Sequence, residues 1–276
     1  MTNPTGARCN LCGETRFRIV EEDQKPQYVL KCLRCGLVCV DPVPDLTGLA
    51  THYDEDYYAD WLAAQKEERG RMWRRRLEAL EKRCSPGRLL DVGCATGTFL
   101  QLAQNRGWQV WGTEYSAYAA RYAGEHLKGE IFCGELIDAR YEEAFFDVVT
   151  FWHVLEHVAD PLRSLQEARR ILKPSGLLIV AVPNVNDLVM QAAYRVAKGR
   201  PLRLFTQGER EIHLFHFSAD TLRAYLRKTG FDNIRIRPDY GITEYSKKAV
   251  NAAAVACYYL TGLKVFNALE AHATRT

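Results

Sequence analysis

The chain has no run of about 18 uninterrupted apolar residues, which argues against a membrane-spanning helix. Its most apolar stretch, residues 249–269, is broken by Asn251, Gly262, Lys264 and Asn267. That stretch reads as a helix that is buried, forms a homodimer contact, or lies on a membrane surface. A secretory leader is also missing: Met1 to Arg8 is polar and has no apolar core, so a cytoplasmic protein is expected. There is little excess charge of either sign. With 37 Lys+Arg against 34 Asp+Glu, the net charge of +3 is too small for a dedicated nucleic-acid binder. Internal repeats and low-complexity tracts are absent. What remains, at 47% hydrophobic and 26% charged, is an ordinary globular chain of 276 residues.

Cysteine is the residue present in excess. Of nine, Cys9, Cys12, Cys32 and Cys35 form two C-x-x-C pairs, with Gly13 and Gly36 directly after them. Two such turns facing each other present four thiolates in a tetrahedron, which suits zinc. Glycine after each pair permits the tight turn. All four ligands come from the protein, so the metal is expected to be structural, holding together a segment too small for an apolar core. A rubredoxin-like iron site is the alternative. Without a leader the compartment is expected to be reducing, which favours metal over disulfides.

Four parts follow along the chain: a zinc ribbon over 1–45, a helical linker or lid over 46–85, an α/β domain over 86–240, and a helical extension over 241–276. Within the third part, apolar runs at 88–92, 108–113, 130–133, 146–152 and 177–182 alternate with helical patterns near 97–106, 116–127, 160–172, 186–197 and 218–229. Alternation of this kind predicts a doubly wound, mostly parallel sheet of Rossmann-like type. Asp160-Pro161 and Ser218 mark helix starts.

The most informative stretch is Asp91-Val92-Gly93-Cys94-Ala95-Thr96-Gly97-Thr98. A strand ends, a glycine-rich turn follows, and a helix begins, which places a ligand above the strand's C-terminal end. The dinucleotide fingerprint needs glycine at 93, 95 and 98, but Ala95 and Thr98 stand at two of these positions. The pyrophosphate-cradling reading therefore fails. Glu114 ends the next strand, where a carboxylate can accept both hydroxyls of a ribose. The ligand implied has a ribose and no pyrophosphate.

These residues, with Phe145-Phe146-Asp147-Val148-Val149-Thr150-Phe151-Trp152-His153-Val154-Leu155-Glu156-His157 and the later Leu172-Lys173-Pro174-Ser175-Gly176, resemble class I S-adenosylmethionine-dependent methyltransferases over roughly residues 85–237. The cysteine pairs, Gly36-Leu37-Val38 and Asp41-Pro42 after them, and His52, Tyr53, Tyr57 and Tyr58 are similar to a subgroup that includes sugar C-methyltransferases and enzymes of polysaccharide and natural-product biosynthesis. The resemblance implies that Asp91, Gly93 and Ala95 border the methionine part of S-adenosylmethionine, with Gly97 in the same turn. It implies that Glu114 binds the ribose hydroxyls, that Tyr115, Glu135 and Leu136 edge the adenine, and that Phe151, Trp152 and His153 face the methyl group.

Methyl transfer to a hydroxyl or carbon acid needs a base. The candidates are His213, His157 and His153, because imidazole titrates near neutrality. His213 matches a histidine that follows a glutamate in the sugar C-methyltransferases, but here Ile212 stands in the glutamate's place. The expected acceptor is a small molecule. Arg195, Lys198, Arg200, Arg203 and Arg210 suggest one bearing phosphate, such as a nucleotide sugar or lipid-linked sugar. The rival readings are a zinc-containing RNA methyltransferase and a non-enzymatic protein that uses the fold to bind a partner.

Overall fold

The computed structural model describes residues 5–44, 58, 66–208, 211–239 and 248–276. His52, Tyr53, Tyr57, the other linker residues of 46–57 and 59–65, and Arg210 lie outside these residues.

Eleven strands are described: β1 Phe17–Gln24, β2 Gln27–Cys32, β3 Val38–Asp41, β4 Arg88–Val92, β5 Gln109–Glu114, β6 Glu130–Cys133, β7 Phe146–Trp152, β8 Leu172–Pro183, β9 Phe215–His216, β10 Phe231–Pro238 and β11 Ala268–Arg275. Between them lie helices α1 Lys66–Glu81, α2 Thr98–Gln104, α3 Ala117–His126, α4 Pro161–Ile171, α5 Leu188–Lys198, α6 Ala219–Lys228 and α7 Lys248–Thr261. The large sheet has the order β10-β11-β8-β7-β4-β5-β6. β8, β7, β4, β5 and β6 pair parallel, while β11 runs antiparallel to both of its neighbours.

Alternate residues of the central strands face opposite layers, as strand geometry requires. Leu90, Val149, Leu178 and Val180 pack with α4, α6 and the N-terminal segment. Leu89, Val148, Ile179 and Ala181 pack with Trp73, Leu77, Phe99 and Ala103 from α1 and α2. Because both faces are covered, the strands read as continuous apolar runs in the sequence. The predicted helix starts form as caps. Asp160 accepts from the Arg163 amide, with Pro161 in the first turn, and Ser218 and Thr221 make a reciprocal capping box.

Two expectations need correction. The N-terminal cysteine segment is not a separate module. Its strands form a second sheet, β1-β2-β3-β9, whose last strand belongs to the segment between β8 and α6. Tyr225 of α6 donates to Asn10, and Asn10 donates to Asp160 at the start of α4, each at 2.8 Å. The C-terminus, in turn, is not helical throughout. The helix ends at Thr261, and residues 268–275 form β11, inserted between β8 and β10. The reason lies in the pattern after Phe266. Leu269, Ala271 and Ala273 alternate with Glu270 and His272, and all five are buried because strands flank both sides. Alanine-rich composition masks that two-residue period.

Candidate functional site

β4 is the point where the chain's progression across the sheet reverses, with β5 on one side and β7 on the other. Ligands of open α/β sheets sit in the crevice beyond the strand ends at such a point. The turn that follows β4 is shaped by backbone conformation. Gly93, Ala95 and Gly97 all have positive φ, at 69°, 50° and 75°. A side chain at Gly93 would meet Val154 at 2.4 Å, and one at Gly97 would meet Leu127 at 2.8 Å. The first glycine lets the β4 and β7 loops close on each other. The second lets α2 pack on α3, a packing duty in addition to its place in the turn.

Glu114 is buried at the end of β5. One carboxylate oxygen accepts the Ala95 amide at 2.9 Å and the other the Ser116 amide at 2.8 Å. Burial raises its proton affinity despite these bonds. A carboxylate has about four lone-pair sites, more than the amides of Ala95, Tyr115 and Ser116 occupy, and among the described residues the buried Thr96 hydroxyl in the same turn has no partner. The turn therefore offers unsatisfied polar atoms to a ligand. Asp91, also buried, accepts from the Thr150 hydroxyl at 2.6 Å, and desolvation pushes it up to about 7. Tyr115 is 48% exposed, Glu135 is exposed and Leu136 buried around the same edge.

Phe151 and Trp152, expected to face the methyl group, have buried side chains, one in each layer of the sheet. Phe151 is 0% exposed, in the layer beneath α4 and α6. Trp152 is buried in an edge-on cluster with Trp73 and Phe99, at 6.0 and 5.7 Å between centroids. Both end β7, whose apolar residues are divided between the two layers. Trp152 carries the Arg76 guanidinium on its face at 4.2 Å.

Beyond β7 the polar groups converge. His153, at φ 58°, places Nε2 2.8 Å from Asp239, which also accepts both bonds of the buried Arg76. Burial would lower His153, but the Asp239 bond and nearby Glu156 outweigh it and raise it to about 9. Arg76 and His153 likewise hold Asp239 well below the usual carboxylate range, against its own desolvation. His153 thus keeps its proton at neutral pH, which argues against it as a base.

Glu156, His157 and His213 form a second group, with one ligand atom from each within 4.8 Å of the others. The backbone explains why they meet. The carbonyl of Glu156 accepts the amides of Leu214 and Phe215, and the carbonyl of Ile212 accepts Nδ1–H of His157 at 2.7 Å. The segment bearing His213 is thereby stitched to the loop after β7, while Val40 of β3 donates to the carbonyl of Leu214 from the other side. The rings of His157 and His213 lie 4.8 Å apart, edge to face. Glu156 is 1% exposed, and among the described residues its carboxylate oxygens make no hydrogen bond, with His153 Nδ1 3.6 Å from one of them. Desolvation opposes its ionisation, but the surrounding histidines lower it overall. Burial lowers His213 and pushes His216 down to about 3, so His216 is neutral. Such a carboxylate and two imidazoles can relay a proton or hold a divalent cation.

Sequence reasoning missed Arg76, Asp239 and Glu156. Arg76 sits in a helix whose alternating charges look solvated. Asp239 is an isolated acid beyond the last predicted strand. Only Glu156 carried a signal, the His153-x-x-Glu156-His157 spacing that puts three polar groups on one turn.

In the N-terminal sheet, Cys9 and Cys35 sulfurs are 3.5 Å apart, as are those of Cys12 and Cys32, and all four lie within 4.8 Å. The two turns repeat one pattern. Gly13 and Gly36, at φ 73° and 77°, donate to the carbonyls of Cys9 and Cys32. This arrangement fits a tetrahedral ion.

Fold and crevice together define the α/β methyltransferase class, and comparison with known proteins agrees. Residues 64–236 match the family described as "Methyltransferase domain", and the chain belongs to this family of S-adenosylmethionine-dependent methyltransferases. It is 32% identical over 155 residues to a ubiquinone biosynthesis O-methyltransferase of Cereibacter sphaeroides, covering 53% of this chain and 61% of that one. It is 28% identical over 158 residues to a Mycobacterium tuberculosis protein named "Probable S-adenosylmethionine-dependent methyltransferase", covering 57% and 53%. The chain thus spans a little over half the length of these curated relatives. A solved S-adenosylmethionine-dependent methyltransferase from Thermotoga maritima shares the fold with TM-score 0.56 at 18% identity, covering 83% of this chain and 100% of that one. Among the described residues, no helix is long and apolar enough to cross a membrane.

Proposed function

We propose that the protein methylates oxygen or carbon of a small-molecule acceptor, a sugar or related biosynthetic intermediate in a polysaccharide or natural-product pathway, and that it works in the cytoplasm. The Glu156–His157–His213 group carries this reading. S-adenosylmethionine supplies an electrophilic methyl group when bound. Glu114 would hold its ribose hydroxyls through the remaining lone pairs. Asp91 and the turn from Gly93 to Gly97 would border its amino-acid part, with Tyr115, Glu135 and Leu136 at the adenine edge. His213 would take the acceptor's proton at a ring nitrogen, and Glu156 would stabilise the imidazolium formed. The glutamate absent at Ile212 is thus supplied by the loop after β7. His157, oriented by its Nδ1–H bond, would position the acceptor. The oxygen-methylating relative in ubiquinone biosynthesis supports oxygen over nitrogen. Cys9, Cys12, Cys32 and Cys35 would hold a structural zinc ion.

The test is turnover of labelled S-adenosylmethionine with a panel of nucleotide sugars and lipid-linked sugars. A His213→Asn variant is expected to lose at least a hundredfold in kcat while binding S-adenosylhomocysteine unchanged. Equal turnover by that variant would overturn the base assignment. Failure of the wild type with every acceptor would favour a partner-binding role, and a salt-dependent RNA affinity above basic controls would favour an RNA substrate.

A further inference from the structure

α5 and α7 pack against each other. α7 is apolar nearly all round. One side, with Ala254, Val255 and Tyr258, packs on the core, where Tyr258 meets Phe266 edge-on. The opposite side presents Ala252, Ala253, Ala256, Tyr259 and Leu260 to the outside, continued by Leu263. These positions recur at helical spacing, so they form one stripe. α5 has no buried residue at all, and its Leu188, Ala192 and Val196 form a second exposed stripe. Leu260 and Val196 are 86% and 88% exposed. A globular surface rarely leaves large apolar side chains aligned in this way without a partner.

Charge identifies the partner. Residues 188–208 and 248–269 contain no Asp or Glu, but they carry Arg195, Lys198, Arg200, Arg203, Lys248 and Lys264. Arg203 is taken by an ion pair with Asp23. Arg195, which lies on the α5 stripe one turn before the helix end, and Lys198, Arg200 and Lys264 have no carboxylate partner among the described residues. Pairing with a second copy would bring two basic rims together, which is repulsive. An anionic lipid surface satisfies both parts of the pattern, taking apolar side chains at headgroup depth and cations on phosphates.

We propose that the α5–α7 face docks on anionic lipid membranes, with Leu188, Val196, Tyr259, Leu260 and Leu263 inserted and Arg195, Lys198 and Arg200 on the headgroups. The inference does not depend on the acceptor's identity. It is tested by flotation of the full chain with vesicles of phosphatidylcholine alone and of phosphatidylcholine with phosphatidylglycerol. Binding is expected only to the anionic vesicles and is expected to weaken with salt. Leu260→Glu with Val196→Glu should abolish it. Arg195→Glu with Arg200→Glu should weaken it by roughly tenfold or more. Both double variants should bind S-adenosylhomocysteine as the wild type does, which shows that they fold. Three results would overturn the proposal: no vesicle binding, equal binding to both vesicle types, or a dimer by light scattering that Leu260→Glu dissociates.

Discussion

Glu114 divides its carboxylate among backbone amides and leaves the remaining lone pairs for a ligand. Replacing it with alanine is expected to weaken S-adenosylhomocysteine binding by roughly ten- to a hundredfold, the range for a lost hydrogen bond to a charged group. Calorimetry measures this directly. His153 gives a pH signature. Its proton affinity is raised from 6.5 to about 9 in the folded protein, so it contributes stability that is fully present below 6.5 and lost as pH rises through about 9. The ring is 36% exposed, so solvent screening trims the effect to about 1 kcal/mol. Melting temperature should fall across that window, and His153→Gln should flatten the fall. At this scale the sequence was only partly legible. Asp91 and Glu114 were readable because each ends a strand beside a turn or helix start. Strand-end position did not say which layer would take the Phe151 and Trp152 side chains. Asp239 was invisible, since its partners Arg76 and His153 are distant in the chain and only the fold brings them together.

Helices and strands were more legible than sites, because caps and apolar runs are local signals. β11 is the instructive failure. Small residues conceal its two-residue period, and its partners β8 and β10 give it no adjacent hairpin. Truncation near residue 245, attractive as a means of removing an exposed apolar helix, would instead extract an internal strand from the sheet. Such a truncation is expected to yield insoluble protein, whereas point substitutions on the outer side of α7 should leave the melting temperature unchanged. Gly97 is a second element-level test. Alanine there must adopt positive φ and push on Leu127 and Ala123, so Gly97→Ala should destabilise by about 2 kcal/mol or more, measured by urea unfolding.

For the whole molecule, the cysteine sheet and the methyltransferase sheet are joined through β9. His213 lies two residues before that strand, and the next residue, Leu214, is bonded to Glu156 on one side and to Val40 of β3 on the other. The cysteine sheet therefore braces the segment that bears His213. Chelator treatment to strip the proposed zinc, or substituting Cys35→Ser, should lower the melting temperature and reduce kcat more than tenfold. It should change S-adenosylhomocysteine affinity by less than about twofold. Equal loss of both would show that the ribbon supports the whole fold and not the histidine segment alone. The cysteine spacing marked the four-sulfur cluster, but nothing in the sequence marked Phe215–His216 as the strand that ties the two sheets together.

The position of β11 also bears on synthesis at the ribosome. β10 is made first but has no neighbour in the sheet except β11, and β8 keeps an open edge until residues 268–275 clear the exit tunnel. At roughly 5–20 residues per second, the stretch from β10 through β11 takes about 2–9 s to translate. During that interval the nascent chain carries an uncapped, strongly apolar strand edge, the kind of surface that chaperones bind and that aggregates when they are scarce.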